Sequence, residues 1–328
     1  NIKLYSFKKG LRSIMTTLSD VAKKASVSKM TVSRVINHPQ QVTPELRKIV
    51  EQAMEQLNYH PNSVASALAH HRTNVVKLVI LEDIDTTEPY YMNLLFGIAS
   101  GLGKKHYALQ LATDSEVGGG DGYIITGGRA NDAKWLDQLN KPFVLFGENR
   151  YGYDFIDTDN KLGEQIATQY ALDKNYQSIV FIGIDEKEPF EYSREAGYIN
   201  TLQKHNMIPK IFRIQNHSSL AEKLIISNWK KFAPNTCFIC ASDRIAVGVV
   251  RAIQRKNGNI PRDFGIIGFD GVFLDQVSNP KLTTIKQNLF KLGELLAEMI
   301  LQKIQQGGAQ QGEVLIEPEL IKSESTRI

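Results

Sequence analysis

Thr17-Leu-Ser-Asp-Val-Ala-Lys-Lys-Ala-Ser-Val-Ser-Lys-Met-Thr-Val-Ser-Arg-Val-Ile-Asn37 is the stretch that decides the architecture. Thr17, with Asp20 three residues on, forms an N-cap and its reciprocal acid. Val21, Ala22 and Ala25 follow as a small apolar face at helical spacing. Ser26-Val27-Ser28 makes a turn, with Val27 as the apolar plug and Ser28 as the cap of a second helix. Val32, Val35 and Ile36 give that helix an inner face. Lys29, Met30, Ser33 and Arg34 fall outside it. The spacing predicts a helix-turn-helix, with small residues at Ala22 and Ala25 for close helix crossing. Its exposed second helix suits the DNA major groove.

The flanks extend this unit. Thr43-Pro44-Glu45 reads as cap, first-turn proline and first-turn acid. Leu46, Ile49, Val50, Ala53, Met54 and Leu57 then recur at helical spacing. Tyr59-His-Pro61 ends the helix. Asn62–His71 reads as a helix too short to stand alone in water. Val64, Ala65, Leu68 and Ala69 give it a small-residue face suited to close pairing.

Asp20-Val-Ala22, Val27-Ser28, Thr31-Val-Ser-Arg34, Asn37, Tyr59-His-Pro-Asn62 and Leu68-Ala69 together resemble the headpiece of the lactose-repressor (LacI/GalR) family of bacterial transcription regulators. The resemblance extends more loosely to the end of the chain. One departure is Ser26, where the family usually has glycine. The resemblance implies that Asn62, Ala65 and Leu68 belong to a hinge that folds in the minor groove, with Leu68 wedging a base step. Arg34 is the candidate for a guanine edge. Lys29 and Met30 open the recognition helix, and Thr17, Ser28, Thr31, Ser33, Asn37 and Tyr59 are candidate phosphate contacts. For Thr31, Ser33 and Asn37, capping competes with contact.

Charge divides along the same line. Residues 1–73 hold 11 Lys+Arg and 4 Asp+Glu, and the rest of the 328-residue chain holds 28 and 31. A basic head on a mildly acidic body is the footprint of a phosphate-binding module. No run approaches the ~18 apolar residues of a membrane helix. Two cysteines argue against a disulfide framework. Residues 1–16 carry four basic residues and no long apolar core, which argues against a secretory signal. A cytoplasmic protein is expected.

From Val75 the pattern changes. Apolar runs at Val75–Leu81, Ala108–Ala112, Tyr123–Thr126, Phe143–Phe146, Ser178–Ile182, Cys237–Cys240 and Gly265–Gly268 alternate with helical stretches. Such alternation predicts parallel sheets covered on both faces. The fold expected is an all-α headpiece plus an α/β body. The resemblance implies a two-subdomain periplasmic-binding-protein-like body with a ligand cleft. The expected parts are an extension (1–16), a headpiece (17–61), a hinge and linker (62–74) and a body (75–328). Within the body the N-subdomain takes about 75–157 and 286–308, and the C-subdomain about 158–285 and 309–328. Crossovers are placed near 157–160, 283–288 and 308–312. Ala112–Gly122 leaves no room for the helix the family has between its second and third strands.

For the cleft, the resemblance implies Arg194 and Asp270 as ligands of a sugar-like effector. Arginine donates in a fork and the carboxylate accepts from adjacent hydroxyls. Ser242 stands where relatives often carry asparagine. Tyr91 and Phe269 are candidate stacking platforms, ahead of Tyr90, Phe146 and Tyr192. Glu82-Asp83-Ile-Asp85 reads as a solvated loop or a cleft carboxylate. Cys237-Phe-Ile-Cys240 lies on a strand, where residues three apart point to opposite faces, so core thiols are the better reading. No histidine spacing suggests a metal, no catalytic constellation is found, and no cofactor is expected.

The function expected is an effector-controlled repressor of carbohydrate genes, acting as a homodimer on a pseudo-palindromic operator. A purine or phosphoprotein corepressor is the alternative. A sugar-binding transport protein would need a signal peptide and no headpiece. An enzyme fused to a DNA-binding domain would need a catalytic constellation.

Overall fold

The cap at Thr17 starts the first described helix. The computed structural model describes residues 16–37, 39–59, 72–81, 89–112 and 118–327. Helix α1 (Leu18–Lys24) begins where the Thr17 N–H and hydroxyl both donate to Asp20 Oδ2, at 2.9 and 2.7 Å. Helix α2 (Lys29–Asn37) is capped by Ser28, whose Oγ accepts from the Thr31 N–H at 3.0 Å. Helix α3 (Pro44–Gln56) starts at Thr43, which accepts from the Leu46 N–H. Val21, Ala22, Ala25, Val32, Val35, Val50 and Ala53 close a small core, with Val27, Ile36, Met54, Leu57 and Tyr59 packed against it.

Two details refine the sequence reading. Ser26 has φ 54°, the left-handed turn conformation for which glycine is the usual residue. A side chain there costs about 1 kcal/mol. Ile49, expected on the inner face, is 47% exposed. It lies about 100° around α3 from the buried Val50, beyond the narrow stripe that so small a core covers.

The headpiece lies in a first unit ending at Arg72, and the body is a second unit from Thr73. The body runs β1 (Val75–Ile80), α4 (Pro89–Gly103), β2 (Ala108–Ala112), β3 (Gly122–Thr126), α5 (Ala133–Asp137), β4 (Phe143–Phe146), β5 (Phe155–Thr158) and α6 (Asn160–Asp173). There follow β6 (Ser178–Ile184), α7 (Pro189–Lys204), β7 (Ile211–Ile214), α8 (Ser218–Ser227), β8 (Thr236–Cys240), α9 (Asp243–Arg255) and β9 (Phe264–Asp270). The chain ends with α10 (Leu274–Val277), β10 (Thr283–Lys286), α11 (Leu289–Gln305), β11 (Glu313–Ile316) and β12 (Glu319–Ile321).

The strands form two sheets. One has the order β11-β5-β4-β3-β1-β2, and the other β12-β10-β9-β8-β6-β7. Every pairing is parallel except β12 with β10. The chain passes between sheets after β5, after β10 and after β11. The first two crossings fall where expected. The third does not: Glu313–Ile316 pairs with β5 in the first sheet, so the crossing follows residue 316 rather than falling at 308–312. The cause is local. Buried Asp154 pairs with Lys303 and accepts the N–H groups of Gln311 and Gly312 at 2.9 and 2.7 Å, which holds this stretch beside β5.

Each subdomain is fixed by tight packing. Helices α4 and α11 cross with glycines at the contact, and a Cβ on Gly97 would lie 2.1 Å from the Phe290 carbonyl oxygen. Asp121 pins the start of β1: its Oδ1 accepts from the Thr73 N–H and hydroxyl, and its Oδ2 from the Asn74 N–H, each at 2.9 Å. No helix separates β2 from β3 among the described residues.

Candidate functional site

The headpiece presents one polar face. On α2, Lys29 and Arg34 are exposed and Met30 is 71% exposed, while Val32 and Val35 face the core. Ser28 and Thr31 are joined hydroxyl to hydroxyl at 2.8 Å, so their first role is to cap α2. Thr17 caps α1 in the same way. Ser33 is half-buried and already partnered. Tyr59 packs against the headpiece core, and burial raises its phenol. The side chain of Asn37, and all of Asn62, Ala65 and Leu68, lie outside the described residues, as does Glu82-Asp83-Ile-Asp85.

In the body, chemistry gathers where the strands end and the chain changes subdomain. Arg194 sits on α7 and is buried. Its Nε donates to Asn160 Oδ1 at 2.9 Å, and its Nη1 to the Ala241 carbonyl at 2.6 Å. The guanidinium carbon lies 3.8 Å from the centroid of the Phe269 ring. Phe269 is therefore no open platform: it is 0% exposed, and Arg194 covers its face. Asp270 ends β9 with φ 122°, and its Oδ1 accepts from Gln287 Nε2 at 2.9 Å. Gln287 Oε1 accepts from the Thr158 hydroxyl at 2.8 Å.

Asn160 is the hub that sequence reasoning missed. Its amide donates to Glu148 Oε1 at 3.0 Å, Asp157 Oδ2 at 3.1 Å and the Thr158 carbonyl at 3.0 Å. Glu148 also accepts from the Ser193 hydroxyl at 2.6 Å. Glu148, Asp157, Asn160, Ser193 and Gln287 thus join Arg194 and Asp270. The signal for them was position: Glu148 and Asp157 lie at the carboxyl ends of β4 and β5, the edge where α/β sheets hold ligands. Tyr90 and Tyr91 open α4, edge to face at 5.3 Å. Tyr90 feels Asp157, Asp270 and Arg194 and has its phenol raised, chiefly by burial, so it belongs to this cluster as much as Tyr91 does. Ser242 is drawn elsewhere. It caps α9 through the Ile245 N–H and donates to Asn216 Oδ1 at 2.6 Å. Both cysteines are buried with their thiols raised by burial, as core residues.

The buried acids around Arg194 are electrostatically loaded. Burial pushes Asp157 up to about 6 and Glu191 up to about 7, and raises Glu148 and Glu164 in the same direction. The Arg194 charge opposes each rise without cancelling it. In the unfolded chain such acids titrate near ~4. Between about pH 4 and 7 the folded chain therefore holds more of these protons than the unfolded chain, and their contribution to stability falls as pH rises. The melting temperature is expected to rise from pH 7.5 to 5.5. Glu191→Gln should raise it at pH 7.5 and flatten the dependence. A melting temperature that fell steadily over that range would contradict this account.

These two sites define a class: a DNA-binding headpiece joined to a two-sheet ligand-binding body. Residues 17–62 match the family model "Bacterial regulatory proteins, lacI family", and residues 168–326 match "Periplasmic binding protein-like domain". The HTH-type transcriptional regulator YvdE of Bacillus subtilis (strain 168) is 52% identical over 315 residues, covering 95% of this chain and 100% of the relative. The HTH-type transcriptional regulator MalR of Streptococcus pneumoniae serotype 4 is 30% identical, over 88% of this chain and 92% of the relative. The fold matches the lac repressor dimer bound to operator and the anti-inducer ONPF, with TM-score 0.70 and 23% identity over 95% and 99% of the two chains. The chain belongs to the lacI family of bacterial regulatory proteins and is a DNA-binding transcription regulator. No helix among its described residues is long and apolar enough to cross a membrane.

Proposed function

We propose that this regulator is a repressor of carbohydrate-utilisation genes, released or engaged by a sugar-like effector held between the two subdomains. The observation that carries the reading is the hydrogen-bond path from the cleft into the crossovers. Asp270 is tied to Gln287, and Gln287 to Thr158; Arg194 is tied to Asn160. Thr158, Asn160 and Gln287 all stand where the chain changes subdomain. A ligand that exchanges hydrogen bonds with Arg194 or Asp270 acts on the hinge directly. A differential affinity for two hinge angles is what allosteric control requires.

Relatives support the ligand class. Ribose operon repressor is the description of a Halalkalibacterium halodurans relative 29% identical to this chain. A LacI family regulator from Enterococcus faecium, 25% identical, holds bound ribose. The protein acts as a homodimer: two headpieces read a pseudo-palindromic operator through Lys29, Met30 and Arg34, with Thr17, Ser28, Thr31, Ser33, Asn37 and Tyr59 toward the phosphates. It works in the cytoplasm and catalyses no reaction.

The test is fluorescence anisotropy at fixed salt on an operator selected from a random-sequence duplex pool. Salt is fixed because phosphate contacts make affinity steeply salt-dependent. Specific binding shifted by a sugar is the expected result. Specific binding moved only by a purine or a phosphoprotein would replace the sugar with a corepressor.

A further inference from the structure

The cleft holds more acid than its arginine balances. Glu148, Asp157 and Asp270 come from the ends of three strands in two sheets, and all three bear on the same few residues. Arg194 and Asn160 link them: Asn160 donates to both Glu148 and Asp157 while accepting from Arg194. Asp270 is joined to them through Gln287, whose amide donates to Asp270 at 2.9 Å and accepts at 2.8 Å from Thr158, the residue after Asp157.

The arginine is already committed. Its Nε and Nη1 each serve the chain's own oxygens, and one face is stacked on Phe269. It lacks the full open fork with which arginine grips a phosphate or carboxylate. Neighbouring cations do not replace it: Arg150, two residues after Glu148, is exposed and lies over the Tyr192 ring instead. Lys286, beside Asp270 in the sheet, is exposed and acts on Asp275. Arg244, two residues after Ser242, is itself partnered.

We propose that the cleft takes an uncharged polyhydroxyl ligand, a non-phosphorylated sugar, and rejects sugar phosphates and sugar acids, because Glu148, Asp157 and Asp270 surround a single committed arginine. This rests on the effector reading above and narrows it. Both oxygens of Asp157 and of Glu148 already accept from the chain's own donors. A carboxylate has about four lone-pair sites, however, and sugar hydroxyls can share or replace those donors without adding charge. A phosphate adds nearly two negative charges and accepts rather than donates. Beside Glu148, Asp157 and Asp270, those charges meet like charges at short range.

The experiment is calorimetric titration of the full chain with ribose, glucose, maltose and cellobiose, each series run beside ribose 5-phosphate, glucose 6-phosphate and gluconate. One neutral sugar is expected to bind, with the charged compounds at least about a hundredfold weaker. Glu148→Gln, at a half-buried position, should narrow that gap several-fold. A phosphorylated or acidic compound that binds more tightly than its neutral parent overturns the proposal. If its binding is lost in Arg194→Met, the cleft remains the effector site and only the charge class fails. Glucosamine binding more tightly than glucose would overturn neutrality in the other direction. Absence of binding by every neutral sugar overturns both this proposal and the sugar reading, while operator binding would still stand.

Discussion

Arg34→Ala is expected to lower operator affinity by about ten- to a hundredfold per half-site, the discrimination that one bidentate arginine–guanine contact supplies. The fold should not suffer. Arg34 is exposed on α2, while Val32 and Val35 hold that helix to the headpiece core. Two half-sites double the effect in free energy if each headpiece uses the same contact. The loss should fall at one base position per half-site. Lys29→Ala should cost discrimination at a second base position and also reduce the salt slope, because a positive charge is lost near the phosphates. The measurement is anisotropy against operators changed one base pair at a time. Arg34→Ala with unchanged base discrimination would remove Arg34 from the recognition surface. It would leave Lys29 and Met30 as the readers.

How far the residues alone carried this picture depends on the kind of signal. The headpiece was legible because local rules act together there: caps, helical spacing and a turn fall within 21 residues, and Thr17, Ser28 and Thr43 cap as their spacing requires. The alternation of the body also named its layers. Short strands escaped. β5, β7 and β10 have four residues each and mix polar with apolar residues, unlike the equally short but wholly apolar β4, so their identity comes from pairing with distant partners. β11 was assigned to the wrong subdomain, because the groups that hold the preceding Gln311 and Gly312 beside β5, the Asp154 carboxylate above all, stand more than 150 residues away in sequence.

The cleft shows the same division. The resemblance named Arg194 and Asp270, and what they touch, Phe269 for the one and Gln287 for the other, depends on the fold. Asn160 was invisible as a hub. On the sequence it is one residue after Asp159, whose side chain caps α6, and an asparagine at a helix start reads as local chemistry. Its four hydrogen bonds join β4, β5 and α7, which no spacing rule connects.

The largest effect in the body should come from Arg194→Met. The side chain keeps most of its volume, so packing over Phe269 is largely preserved; the charge disappears, with the hydrogen bonds to Asn160 and the Ala241 carbonyl. Glu148, Asp157, Glu164 and Glu191 all have their proton affinity lowered by this guanidinium. Without it these acids rise further, and ionising them in the folded state costs more. Removing one partner from a buried charge cluster typically costs about 3–5 kcal/mol. The cost should depend on pH with a definite sign. At pH 7.5 the acids must ionise or hold protons against the solution, and the variant should melt well below the parent. At pH 5.5 they hold their protons at little cost, and the gap should shrink. Adding Glu164→Gln, which replaces a buried carboxylate whose two oxygens have no hydrogen-bond partner, should recover part of the loss at pH 7.5. Operator affinity of the folded variant should stay within a few-fold of the parent, because the headpiece is untouched, while the response to the effector is lost. Melting curves at the two pH values and anisotropy with and without effector separate these effects. A variant that melts at the same offset at both pH values would show that Arg194 supports the fold by packing and hydrogen bonds, and not through its charge. A variant that keeps its effector response would place the ligand outside the Asn160–Arg194–Asp270 cluster.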